Sequence, residues 1–238
     1  MGFSVFLSMP FVFKKNTNAR NLVFYNSFAA GILIFLLMDV YSDVQTIFNQ
    51  SSNITYQLIF ILFFALAYLL FYYFSSMKNL KNNAKFASFL AALGIGTQNL
   101  TEGLLFGSSA ALGLNSVWIL TLVGFSLQNA TEGFPIAAPL MFENAKMDKK
   151  FVSMVFFLGA IPTVIGTVIG MYYNSNLFIV FFDAIACAAI VYVILMMIGK
   201  NFGRKSKESH HPQLDFYQLT YLGILFGFVL AYLVNYIF

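Results

Sequence analysis

The residues in this sequence best able to do chemistry are written twice. Gln98-Asn99-Leu100-Thr101-Glu102-Gly103 lies inside one long apolar run, and Gln128-Asn129-Ala130-Thr131-Glu132-Gly133 inside the next. On a helix, residues four apart share a face, so Gln98 with Glu102, and Gln128 with Glu132, each set an amide beside a carboxylate. Asn99 and Asn129, three before each Glu, flank the same face. Two such helices joined by a tight turn bring two carboxylates and four amides to one place. A carboxylate near a bilayer midplane costs roughly 3 kcal/mol on insertion scales unless it is paired or hydrated. Interhelical hydrogen bonding, at about 0.6–2 kcal/mol per bond, accounts for the amides. It does not account for two acids with no Lys, Arg or His beside them. The duplicated frame therefore points to a cation site.

The elements that must hold these groups are membrane helices. The chain of 238 residues is 60% hydrophobic and 9% charged, against about 25% charged in soluble domains. Apolar stretches of about 20 residues recur along nearly the whole length, as in a polytopic helical membrane protein. The spans read as about 22–40, 55–76, 86–112, 114–141, 151–173, 176–199 and 215–238. Met1 to Phe13 is apolar but short, about 20 Å as a helix against a hydrocarbon core of about 30 Å. The expected fold is all-α, a single transmembrane domain over residues 1–238 with eight transmembrane helices, the first one short. No cleavable leader is expected, since Lys14 and Lys15 follow the first apolar run and do not precede it. The single Cys187 lies within an apolar span and excludes an intramolecular disulfide framework.

The net charge of +4 is an orientation signal rather than a nucleic-acid footprint. All 13 basic residues fall in alternate connections: Lys14, Lys15 and Arg20; Lys78, Lys81 and Lys85; Lys146, Lys149 and Lys150; Lys200, Arg204, Lys205 and Lys207. The positive-inside rule makes those connections cytosolic and puts both termini outside, provided that residues 1–13 cross. Asn53-Ile54-Thr55 then forms a glycosylation sequon on the outer side. The Gly113-Leu114-Asn115 connection makes the two motif helices antiparallel neighbours. Gly103 and Gly133 permit close helix approach, and Pro135 and Pro139 bend the fifth helix past its motif. Asp39 and Asp43 read either as interfacial acids at a helix end or as guides at the outer mouth. Asp183, deeper in the seventh span, leaves the same two readings open. His210-His211 reads as a solvated loop, and Trp118 and the tyrosines near span ends as interface anchors.

These residues resemble the ZIP (Zrt/Irt-like) metal transporters, whose fourth- and fifth-helix motifs are commonly written HNxxEG and [HQ][END]xxEG. Asn99, Glu102 and Gly103 match the first; Gln128, Asn129, Glu132 and Gly133 match the second. Phe28-Ala29-Ala30-Gly31 is similar to the start of that family's second helix, and Ala137-Ala138-Pro139 to the tail of its fifth. The resemblance is specific over residues 94–139. It implies two metal positions bridged by the glutamates: Gln98, Glu102, Gln128 and Glu132 around one, and Asn99, Glu102, Asn129 and Glu132 around the other. It also implies eight helices, outside termini, an inverted repeat of helices 1–3 against 6–8, and rigid-body motion of a metal-carrying bundle. Two departures stand out. Gln98 occupies the place of the family's fourth-helix histidine, and Ala160-Ile161-Pro162 carries no acid where the sixth helix often supplies one. The family's histidine-rich loop after the third helix is also missing.

The function expected from all this is transport of a divalent metal cation, of the zinc, iron or manganese class, by an integral protein of the plasma membrane. The partners are the cation and the lipid bilayer, with a homodimer left open and no nucleic acid; no cofactor beyond the transported ion is expected. Two glutamates alone in low dielectric repel, so at least one holds a proton that a divalent ion displaces. The alternative is a non-transporting relative, a metal sensor or structural membrane protein, favoured by the lost His and sixth-helix acid and opposed by both retained glutamates. An intramembrane enzyme is disfavoured. No Ser-His, Cys-His or HExxH constellation is visible, and the Glu-x-x-His pairs of di-iron carboxylate bundles are absent.

Overall fold

A computed structural model describes the chain except residues 14–17, 52–53, 78–82, 112–114, 143–147, 174, 206–212 and 238. Lys14, Lys15, Lys78, Lys81, Lys146, Lys207, the sequon at Asn53, the Gly113-Leu114 connection and His210-His211 lie outside the described residues, as does the side chain of Trp118. A 3-10 segment, Gly2–Ser8, runs into the single turn α1 (Met9–Val12). Then come α2 (Ala19–Gln50), α3 (Thr55–Met77), α4 (Ala84–Ala111), α5 (Asn115–Phe142), α6 (Lys149–Gly170), α7 (Asn176–Lys205) and α8 (Gln213–Ile237). Polar side chains open two of them. Asn83 Oδ1 accepts from the Lys85 and Phe86 amides at the start of α4, and Asp148 Oδ1 from the Lys150 amide at the start of α6.

The protein is an all-helical membrane protein. Five helices, α2, α3, α6, α7 and α8, are long and apolar enough to cross a bilayer. At 28 residues each, α4 and α5 have the length but fall short in apolarity, because they carry the Gln, Asn, Thr and Glu of the two motifs. The segment ahead of α2 is shorter than sequence predicts for a span, with 7 residues of 3-10 and 4 of α-helix. The expected eight helices thus divide into five apolar spans, two more polar helices of spanning length, and one short segment.

The second helix departs most from its expected bounds. The apolar run ends at Val40, yet α2 continues to Gln50. Its last turns are amphipathic: Val40, Val44 and Ile47 are buried, the latter two against Ile179 and Val180 of α7, while Ser42, Asp43 and Gln45 face out. Hydropathy alone stops where the outward face turns polar, but the inward face keeps the helix packed.

α4 lies at the centre. It packs on α6 most extensively, and on α7 and α5, while α2 packs chiefly on α8 and α7. The glycine that closes each motif explains itself here. A Cβ on Gly103 would strike the Thr163 carbonyl of α6, and one on Gly166 the Leu100 carbonyl of α4, so the two backbones touch. A Cβ on Gly133 would meet Ser8 and Val5 of the N-terminal segment. Gly103→Ala is therefore expected to destabilise the fold by about 1–3 kcal/mol through overpacking. Gly199→Ala, with nothing among the described residues within 4 Å of its added methyl, is expected to be neutral or mildly stabilising. Thermal unfolding of the two variants in the same detergent compares them; equal midpoints would mean that the α4–α6 contact yields freely.

Away from the motifs, Asn26 and Asn201 tie α2 to α7. Asn26 Nδ2 donates to Asn201 Oδ1 at 2.9 Å and to the Met197 carbonyl at 2.9 Å, and Asn201 Nδ2 donates to Ser27 Oγ at 2.7 Å.

Candidate functional site

All six residues expected from the sequence are buried: Gln98, Asn99 and Glu102 on α4, and Gln128, Asn129 and Glu132 on α5. Glu102 is their meeting point. Its Oε1 accepts from Gln98 Nε2, one turn back on the same helix, at 2.7 Å and from Gln128 Nε2, across on α5, at 2.9 Å. The i, i+4 spacing thus does what it predicts on α4. On α5 the amide reaches across to the other helix's acid instead. Glu132 stays 1% exposed, and neither of its oxygens has a hydrogen-bond partner among the described residues. The amides of Gln128 and Asn99 lie near it without closing such a bond.

The two asparagines are held from outside the pair of motifs. Pro162 lies inside α6 and has no N–H to give the Leu158 carbonyl one turn back. The next carbonyl along α6, that of Gly159, accepts from Asn99 Nδ2 at 2.9 Å. Asn129 Nδ2 donates to the Phe125 carbonyl of its own helix at 2.7 Å. Each asparagine therefore spends its nitrogen on backbone and keeps its oxygen free. The sixth helix contributes a carbonyl that orients Asn99, where the resemblance would look for an acid.

Nine buried side-chain N or O atoms among the described residues lack a hydrogen-bond partner, and six of them belong to this site. They are Gln98 Oε1, Asn99 Oδ1, Glu102 Oε2, Asn129 Oδ1 and both oxygens of Glu132. All six are oxygens. A buried polar group without a partner costs about 1–3 kcal/mol, and more if charged, so such a concentration of acceptors is a poor structural device. It is a good donor set for a hard or borderline cation. The charges that bear most on Glu102 are also of one sign: Glu132, Asp39, Asp43 and Asp183. Among the described residues, no group of three or more His, Cys, Asp or Glu is placed to hold a metal ion. The donors here are two carboxylates and four amides, so most of the shell is uncharged.

Two acids stand differently from an interfacial reading. Asp39 is half-buried, and its carboxylate accepts from Gln128 Nε2 at 3.2 Å and from Asn235 Nδ2 of α8 at 2.9 Å. The apolar run stops beside Asp39, but α2 runs on for three more turns, so the residue is not at a helix end. Asp183 is 1% exposed and accepts from Thr101 Oγ1, within the first motif, at 2.8 Å. Neither Asn235 nor the Gly159 carbonyl is among the residues singled out from sequence. Neither carried a signal in the sequence, since each is placed by tertiary packing.

No protein-family model matches this chain, and no curated protein matches it.

Proposed function

We propose that this protein carries divalent metal cations across a membrane, as a divergent ZIP-like transporter, through the site built by α4 and α5. The observation that carries the reading is the set of six buried, unpartnered oxygens contributed by the duplicated motif. Two carboxylates balance the charge of one divalent ion, which removes the main penalty of holding it in low dielectric. Gln98 and Gln128 suit a site that must fill and empty. An amide donates its N–H to Glu102 when no ion is present, and turned over it offers its oxygen to the ion. The remaining parts of the proposal follow the charge pattern and the motifs: eight spans with both termini outside, the plasma membrane, and zinc, iron or manganese as the ion. A dimer is compatible with the long lipid-facing surface of α3. The absence of a sixth-helix acid, with the Gly159 carbonyl bound to Asn99 in its stead, favours a metal-sensing relative as the second reading.

The deciding experiment is uptake by reconstituted liposomes, metal by metal, with internal pH recorded. Saturable uptake of at least one of zinc, iron or manganese, accompanied by proton movement, is expected. Folded protein that binds these ions and moves none of them supports the sensor; protein that neither binds nor moves them overturns both readings.

Orientation is tested separately. In a Cys187→Ala background, Gln50→Cys is expected to react with an impermeant thiol reagent from outside and Lys150→Cys only after permeabilisation. The reverse pattern would invert the proposed topology.

A further inference from the structure

The hydrogen bonds around Glu102 do not end at the motifs. Gln98 Nε2 donates to Glu102 Oε1 at 2.7 Å, and Gln128 Nε2 to the same oxygen at 2.9 Å. Gln128 Nε2 also donates to Asp39 Oδ2 at 3.2 Å, and Asn235 Nδ2 to Asp39 Oδ1 at 2.9 Å. Amide and carboxylate alternate through Gln98, Glu102, Gln128, Asp39 and Asn235, and the chain crosses α4, α5, α2 and α8. Exposure rises along it: Glu102 is 3% exposed, Gln128 5%, Asp39 half-buried and Asn235 exposed. This is a continuous polar chain from buried Glu102 to one surface. Its longest bond, and so its weakest, joins Asp39 to Gln128.

Resting on the transport reading above, we propose that Asp39 determines the affinity of the outer approach: an arriving divalent cation is first held at its carboxylate and displaces the Gln128 amide. Gln128 has one nitrogen serving two acids. An ion at Asp39 Oδ2 takes one of those acceptors, and the freed amide turns to present its oxygen inward. Glu102 and Glu132 lie on that inner side with acceptor capacity in hand. Asp43, one turn further out on the same face and exposed, adds charge to the approach. Asn235 is a positioning residue in this scheme, since it fixes the oxygen of Asp39 that Gln128 does not hold.

The test uses the full chain in liposomes, with Mn²⁺ and Zn²⁺ as probes and initial uptake rates measured at several concentrations and two ionic strengths. Asp39→Asn keeps the shape and removes the charge. Its KM is expected to rise about tenfold while the maximal rate stays within about twofold, because both inner carboxylates are kept and Asn still offers Gln128 an acceptor. Raising salt is expected to raise the KM of the parent and to raise that of Asp39→Asn by a smaller factor, the remainder coming from Asp43. Asp39→Glu is expected to restore most of the parent's KM, which a purely structural role for Asp39 would not predict. If Asp39→Asn does not fold, Asp39→Ser keeps an acceptor for Gln128 without the charge and is read in the same way. An unchanged KM in a transporting variant overturns the inference, as does a lost maximal rate that Asp39→Glu fails to rescue. Failure of both neutral variants to fold also overturns it, since Asp39 is then structural. Absence of uptake by the parent removes the transport reading and this inference together; normal uptake by the parent and by Asp39→Asn removes this inference alone.

Discussion

Glu132→Gln is expected to abolish divalent-cation uptake while leaving a folded protein. Glu132 is buried with both oxygens unpartnered, so no hydrogen bond is lost when an amide replaces the acid. Gln keeps the volume and removes the charge, which leaves one carboxylate to face a divalent ion in a site whose other donors are neutral. A loss of at least a hundredfold in uptake rate at fixed ion concentration is expected, corresponding to about 3 kcal/mol. Glu102→Gln is expected to be as damaging to uptake and also to cost stability. Its Oε1 is the shared acceptor for Gln98 and Gln128, and an amide there can turn a nitrogen toward two donors. The two variants thus separate function from packing: both lose uptake, and only Glu102→Gln lowers the unfolding midpoint. Parent-like uptake by both would place the site elsewhere in the protein.

Gln98→His is expected to raise zinc affinity more than manganese affinity. Zinc favours imidazole and thiolate ligands, whereas shells made only of oxygen suit harder ions. The shell here is two carboxylates and four amides, so zinc should bind more weakly than at a His-bearing site, with a relative shift toward Mn²⁺ or Fe²⁺. Position 98 is buried, one turn from Glu102 and within bonding distance of it, so a nitrogen placed there reaches the same space. An increase of tenfold or more in zinc affinity over manganese affinity is expected, read by competition binding on purified protein. Equal changes for the two metals, or none, would mean that residue 98 serves only to hold Glu102.

How much of this could be read in the chain depends on where each signal is stored. The pairing of Gln98 with Glu102 is local, so helical spacing contained it. Most helix bounds were likewise set by runs of apolar residues; the sequence places a span at 55–76, and the structure has Thr55–Met77. The extension of α2 to Gln50 was not legible in mean hydropathy, because Val44 and Ile47 face α7 while their neighbours face out. That single boundary moved Asp39 from a helix end into the polar chain. The orientations of Asn99 and Asn129 were not legible at all. They depend on whichever carbonyl tertiary packing brings within reach, Gly159 on another helix in one case and Phe125 on the same helix in the other. The bond from Asn235 to Asp39 joins residues 196 apart in sequence, a separation at which no periodicity can inform.

The length of α2 has a consequence outside the bilayer. Its 32 residues make a rod of about 48 Å, some 18 Å more than a hydrocarbon core of about 30 Å. The turns beyond Asp39 that hold Ser42, Asp43 and Gln45, braced on α7 through Val44 and Ile47, therefore form a buttress that carries α2 from the hydrocarbon core through the headgroup layer on one face of the membrane. In a molecule with short connections, that buttress is a firm, ordered epitope. An antibody fragment gripping it would sit directly above the Asp39–Asn235 end of the polar chain, serving as a fiducial mark for imaging and as a plug.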